Sequence, residues 1–222
     1  MRICRKSGYS VFLMLATALV IAFTLMIFAT NAEATTSLLT NGDFETGDST
    51  GWTVFTTANG TNGVAMPDIV PFDTCTAGIE SYSIRFNVGT TILYQPGGGG
   101  ILQNVYIPGG TYTLQACTAV LDDRGAKNVD GGLFELLFDG VVVDSYDYGE
   151  VELGTTYRRL LSNLGVVTAG MHEVAIKITR THESMDITPW QFVDDITLVP
   201  EPMTLSLLAL GGLLLLEKRR FH

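Results

Sequence analysis

Carboxylates dominate the chemistry available to this chain. Its 222 residues carry 23 Asp and Glu against 13 Lys and Arg, with three His and three Cys. The doublets Asp122-Asp123 and Asp194-Asp195 have the composition of an acid/base pair. Neighbours on a strand point to opposite faces, so neither doublet by itself places two carboxyl groups across one cleft. His172 and His182 offer imidazole, but no Gly-x-Ser-x-Gly elbow or other nucleophile signature accompanies them. These residue types therefore favour binding over turnover, with a glycan-active hydrolase as the least favoured reading.

Flat aromatic rings can stack on sugar faces while polar side chains fix hydroxyls. Tyr94, Tyr146, Tyr148, Tyr157 and Trp190 lie outside the evident core positions. Tyr146 and Tyr148 straddle Asp147 and share a strand face. Together with Trp190 they are the expected ligand-binding residues. Arg158 and Arg180 are suited to orienting hydroxyls or to pairing with the acids. The thiols offer less. Cys4 lies near the N-terminus, and Cys75 and Cys117 are the remaining two, with no CxxC and no Cys/His grouping to suggest zinc or redox catalysis. In an oxidising compartment the two pair, and a Cys75–Cys117 disulfide is expected.

The elements that must position these groups read as strands. Short runs rich in Val, Ile, Thr, Tyr and Phe cover 38–44, 52–56, 82–88, 101–107, 111–120, 133–138, 141–146, 156–164, 173–179 and 190–198. Gly, Asn and Asp punctuate them, and no amphipathic helix intervenes. This pattern predicts an all-β sandwich. Asp139-Gly140 predicts a two-residue hairpin turn with positive φ at both positions. The run Gly97 to Gly100 is followed by no helix and by no lysine placed to reach a phosphate, so it reads as a flexible loop.

Both ends are transport segments. Arg2, Arg5 and Lys6 precede an uncharged run over 11–29, and Ala32-Glu33-Ala34 supplies a small-x-small site, so residues 1–34 read as a signal peptide; an uncleaved N-terminal anchor is the alternative. At the other end Pro200-Glu201-Pro202 precedes an apolar segment, 203–216, and the basic cluster Lys218-Arg219-Arg220. Flanking basic side chains can lengthen so short a span by snorkelling, which makes it a transmembrane helix with a cytoplasmic tail. The remaining residues, 35–199, hold 20 acids against 7 bases, a net charge of −13. That field excludes nucleic acid and anionic lipid as partners.

Two resemblances follow from these residues. Pro200-Glu201-Pro202, the apolar span and the basic tail, in that order, resemble the PEP-CTERM sorting signal. The resemblance implies an exosortase-type partner, inner-membrane anchoring before processing, and then a cell-surface or extracellular location in a bacterium that makes exopolysaccharide. A plain membrane anchor is the alternative. Asn41-Gly42-Asp43-Phe44-Glu45, followed by Gly51-Trp52 and closed by Phe192-Val193-Asp194-Asp195-Ile196-Thr197-Leu198, is similar to the galactose-binding-like jelly rolls, the carbohydrate-binding modules related to families 4 and 9. It implies a jelly-roll β-sandwich over 35–199 that binds carbohydrate without catalysis; a structural or adhesion protein with no sugar site is the alternative.

In the last strand Phe192, Asp194, Ile196 and Leu198 are expected to share one face, leaving a carboxylate among apolar neighbours in need of donors or a cation. With first and last strands adjacent, as in the resembled modules, Glu45 and Asp194 are the expected ligands of a structural calcium. Backbone N–H donors from the first loop are the alternative partners for Asp194.

Overall fold

The computed structural model describes residues 36–75, 78–92, 94–124, 130–182 and 188–201. Ser37–Pro200 form one compact unit. Its strands are β1 (Thr53–Thr56), β2 (Gly60–Thr61), β3 (Asp68–Phe72), β4 (Ser81–Phe86), β5 (Gly89–Thr90), β6 (Gly97–Ile107), β7 (Gly110–Leu121), β8 (Leu133–Phe138), β9 (Val141–Asp147), β10 (Thr156–Val167), β11 (Gly170–Arg180) and β12 (Trp190–Pro200). Among the described residues no helix is long and apolar enough to cross a membrane. The expected signal peptide, the span 203–216, Pro202, Lys218, Arg219 and Arg220 lie outside the described residues; Pro200 ends β12 and Glu201 follows it, exposed.

The strands form two five-stranded sheets, β1-β6-β11-β8-β9 and β10-β7-β12-β4-β3, with β2 and β5 as a separate pair, every pairing antiparallel. Without the edge strands β1 and β3, the orders are 6-11-8-9 and 4-12-7-10. That interleaving of eight strands between two sheets is a jelly roll, and it follows from the topology alone. Alternate residues of both sheets meet in a single core: Ile84 and Phe86, Ile101 and Ile107, Leu114 and Ala116, Phe134 and Leu136, Val174, Ile176 and Ile178. Burying each large side chain contributes roughly 1.5–3 kcal/mol. At Asp139-Gly140 both residues have positive φ, as the hairpin turn requires.

Three expectations are corrected. Residues 38–44 form bends and turns rather than a strand, because Asn41 and Phe44 take positive φ. Only Leu38 N–H to Leu198 O and Ile196 N–H to Gly42 O tie this segment to β12. Its anchor is aromatic instead: Phe44 is fully buried, 6.1 Å from Trp52, whose Nε1–H donates to Asn41 O.

The glycine run is not a loop but the start of β6, between β1 and β11. The absence of side chains lets the 59–62 segment press onto the strand. A Cβ on Gly60 would run into the Gly98 backbone, and one on Gly99 into Asn62 Oδ1.

The third correction is in β12. A bulge between Asp194 and Thr197, with Asp195 at φ 47°, rotates the strand halfway along. Ile196 and Leu198 enter the core, whereas Phe192 and Asp194 face the outer side of the second sheet. The four residues therefore do not share one face.

That outer side is covered. The row Asp68, Arg85, Phe192, Ala119 and Arg158 crosses all five strands. The end of β3 and the residues after it lie over it as a strap: Phe72 stacks on Phe192 at 3.6 Å, and Arg158 Nε donates to Asp73 O at 2.8 Å while its Nη2 pairs with the Asp73 carboxylate at 3.0 Å. Cys75 is bonded to Cys117 of β7, with Cα atoms 5.2 Å apart, as the sequence leads one to expect.

Candidate functional site

Four elements end together on the first sheet. Pro96 precedes β6, Asp130 precedes β8, Asp147 ends β9 with Gly149 just beyond it, and Thr179 and Arg180 end β11 with Thr181 and His182 following; with Leu133 they line a cavity of about 370 Å³. The register explains the convergence. Thr179 pairs with Leu133 and Leu133 with Asp147, so the three form one row across β11, β8 and β9. Phe134 and Ile178 point into the core, which turns Leu133 and Thr179 outward.

Asp130 is the most heavily bonded group of the cavity. Its Oδ2 accepts from Thr181 N–H at 3.0 Å, Thr181 Oγ1 at 3.3 Å and His182 Nδ1 at 3.0 Å. Partial burial alone would raise its pKa, but the hydrogen bonds from His182 and Thr181 and the Arg180 charge outweigh that and hold the carboxyl below its ordinary value. Arg180 is almost fully buried, with Nε on Asp130 O and Nη1 on Val88 O. Burial lowers its proton affinity, and Asp130 and Asp122 oppose that. Asp147 is exposed; Oδ1 accepts Gly149 N–H at 2.9 Å, and no donor among the described residues meets its second oxygen.

Tyr94 stands beside this cavity. Its N–H donates to Thr181 O, its ring lies edge-on 6.2 Å from that of His182, and it is 75% exposed at φ 63°. A large residue held at positive φ with its ring in solvent costs backbone energy, roughly 1–3 kcal/mol. Such positions cluster at ligand sites.

Of the expected ligand-binding residues, Tyr146 and Tyr148 meet edge-on at 5.0 Å, but each of the three is engaged by the chain itself. Tyr148 is in the core: its ring packs edge-on to Phe134 at 5.1 Å, its hydroxyl donates to Thr118 O at 2.8 Å, and burial raises its pKa. Tyr146 pairs with Phe134 across β8 and β9 and meets Arg159 of β10 at 5.0 Å, so it closes the seam between the sheets, 39% exposed. Trp190 is on the second sheet, where the guanidinium groups of Arg124 and Arg85 lie over its ring at 3.1 and 4.2 Å. Its indole binds cations of this chain rather than presenting a bare platform. Tyr157 packs against the core.

The expected calcium ligands are each bonded within the protein, to the adjacent residues Ser81 and Tyr82. Asp194 is fully buried; Ser81 Oγ donates to its Oδ2 at 2.5 Å, Ser83 Oγ at 3.2 Å, and Asp195 N–H donates to Oδ1 at 2.7 Å. Burial pushes its pKa up to about 6 against those bonds. Glu45 Oε1 accepts Tyr82 N–H at 2.8 Å. Asp195 rather than Asp194 faces the first loop: burial, then the charges of Asp43 and Glu45, raise its pKa. Asp43, Glu45 and Asp195 are the oxygen donors suited to a hard cation. Among the described residues, though, only Cys75, Cys117 and Asp195 lie within chelating distance of one another, and those two sulfurs are bonded together.

Sequence reasoning missed the site's centre. Tyr94 was among the candidate rings and His182 among the bases, but Asp130 and Asp147 carried no motif. The legible signal was positional: both flank strands, and His182 follows one.

Fold and site define a jelly-roll β-sandwich with an open cavity at its loop end, lined by both apolar and hydrogen-bonding groups. No family model and no curated protein sequence matches the chain. Among solved structures it is similar to a family 61 carbohydrate-binding module in complex with beta-1,4-galactotriose: 20% identity, 74% of this chain and 99% of that one covered, TM-score 0.43. It is also similar to the C-terminal family 22 carbohydrate-binding module of Clostridium thermocellum Xyn10B, at 14% identity, 76% and 96% coverage and TM-score 0.41. A third is the module CBM36 in complex with calcium and xylotriose, at 15% identity, 60% and 92% coverage and TM-score 0.32.

Proposed function

We propose that the protein is an exported, non-catalytic carbohydrate-binding protein whose sugar site is the cavity of Asp130, Asp147 and His182, with Tyr94 as its stacking ring. The carrying observation is Tyr94, an exposed ring at positive φ beside a cavity of hydrogen-bonding groups with an apolar floor at Leu133. Concave sites with a few convergent polar groups are where small ligands bind.

Binding fits the site better than catalysis. A glycosidase acid must hold its proton near neutral pH. Asp130 is held low, whereas the raised carboxyls, Asp194 and Asp195, lie at the bulge of β12 on the other sheet. Thr181, His182 and Asp130 resemble a triad in composition only. Thr181 Oγ1 and Asp130 Oδ2 both meet His182 Nδ1, at 3.2 and 3.0 Å, and a relay needs the two ring nitrogens to face opposite partners.

The reading includes delivery by the two transport ends: a cleaved signal, recognition of the Pro200-Glu201-Pro202 segment by an exosortase-type enzyme, and exopolysaccharide as the natural ligand. Affinity electrophoresis against a panel of polysaccharides tests the binding, and mass spectrometry of the secreted protein tests the ends. Retarded migration that Tyr94→Ala weakens supports the reading; no retardation by any polysaccharide refutes it. A structural surface role without a sugar site is the second reading. It is favoured by the exposed cross-strand pair Tyr106 and Met171, 62% and 65% accessible, which suits self-association.

A further inference from the structure

The cavity's charge narrows its ligand. Two carboxylates line it, and the basic side chains among its described lining residues, Arg180 and His182, are already engaged within the protein. Arg180 is turned inward onto Asp130 O and Val88 O. Lys177, one row along the same face from Thr179, pairs with Glu135 at 2.7 Å. His182 meets Asp130 through Nδ1. Asp147 therefore presents a carboxylate oxygen to a cavity whose described lining holds no unengaged basic side chain, in a domain of strongly negative charge.

We propose that the site selects a sugar bearing a free ammonium group, an unacetylated hexosamine, over its N-acetylated form and over uronic acids, with Asp147 as the residue that reads the amine. This rests on the carbohydrate-binding reading and names its ligand class. An ammonium presents up to three donors and full charge to Asp147, so the pair is a charge-assisted hydrogen bond, about twice as strong as a neutral one. Acetylation removes that charge and adds bulk, and a uronate carboxylate meets like charge. The Tyr94 ring would add a cation–π component for an amine over its face.

The experiment titrates the full-length protein with a glucosamine oligosaccharide, its N-acetylated counterpart and a uronic-acid oligomer of the same length, at low and at high salt. The expected result is roughly tenfold tighter binding of the free amine than of the acetylated form, no binding of the uronate, and most of the preference lost at high salt, where charges are screened. Asp147→Asn keeps the acceptor for Gly149 N–H and should leave the melting temperature unchanged while bringing the two affinities level. Equal or tighter binding of the acetylated form, or a preference unmoved by Asp147→Asn, overturns the inference. If neutral sugars bind and Tyr94→Ala weakens them while no amine preference is seen, this inference fails and the carbohydrate-binding reading stands. If no sugar binds, both fail.

Discussion

The outer sides of the two sheets carry the same kinds of residue and put them to opposite use. On the second sheet, acids, arginines and aromatic rings are matched to one another: Asp68 with Arg85 at 2.6 Å, Asp73 with Arg158, Trp190 with Arg85 and Arg124, Asp194 with Ser81 and Ser83. A disulfide-tied strap lies over them. At the loop end of the first sheet, Asp147 keeps an open oxygen and Tyr94 an open ring. Buried polar groups are nearly always bonded within the protein, so residue type does not mark a site. What marks it is bonding capacity that the chain itself leaves over.

The largest expected effect is on the closed side. Replacing Cys75 and Cys117 by Ala opens a loop of 42 residues and should cost about 3–4 kcal/mol of stability, read as a lower midpoint in urea. Sugar affinity of the folded fraction should stay the same. A fall in affinity that follows the disulfide would place the ligand on the second sheet.

Next is Asp194. Its folded pKa of about 6 lies above the ordinary carboxylate value near 4, so folding favours the protonated form. The stability it contributes is fully present below about pH 4 and is lost as pH rises toward 6. Asp194→Asn should therefore stabilise the protein at pH 7, by up to about 3 kcal/mol, and flatten its stability between pH 4 and 6. Thermal melts across that range check it. A destabilised mutant at pH 7 would mean that the carboxylate is ionised and paired in a way the hydroxyl contacts do not supply.

On the open side, Tyr94→Ala removes a ring that packs on little of the protein. The melting temperature should hold or rise, and sugar affinity should fall roughly five- to tenfold, about 1 kcal/mol. Calorimetric titration reads both arms. Unchanged affinity would remove the ring from the site.

The smallest effect is calcium. Asp194 is satisfied internally, and Asp43, Glu45 and Asp195 do not close to chelating distance. Millimolar calcium added to chelated protein should thus move the melting temperature by no more than about 1–2 °C. A shift of several degrees would show that this corner closes on an ion.

The same contrast explains what the sequence made legible. The all-β class, the Asp139-Gly140 turn and the disulfide all follow from local periodicity, turn chemistry and cysteine count, whereas the ten expected strands are twelve and 38–44 is not among them. Three features needed the tertiary structure. A glycine run reads as flexible because flexibility is local, whereas the close approach of Gly60 to Gly98 is not. The bulge at Asp195 reverses which face Asp194 occupies, and a period of two cannot foresee a register shift. Tyr146, Tyr148 and Trp190 are chemically equal to Tyr94 in sequence; only Thr118, Arg159 and Arg124 distinguish them, and each comes from a distant strand or loop.

The most direct test of the open-and-closed contrast is to map backbone amide shifts by NMR while titrating a bound oligosaccharide. The contrast predicts that perturbations gather at Tyr94, Asp130, Leu133, Asp147, Thr181 and His182, and that Leu121, Trp190 and Phe192 stay still. Perturbations gathered at Trp190, Phe192 and the strap, with Asp147 and His182 unmoved, would contradict it.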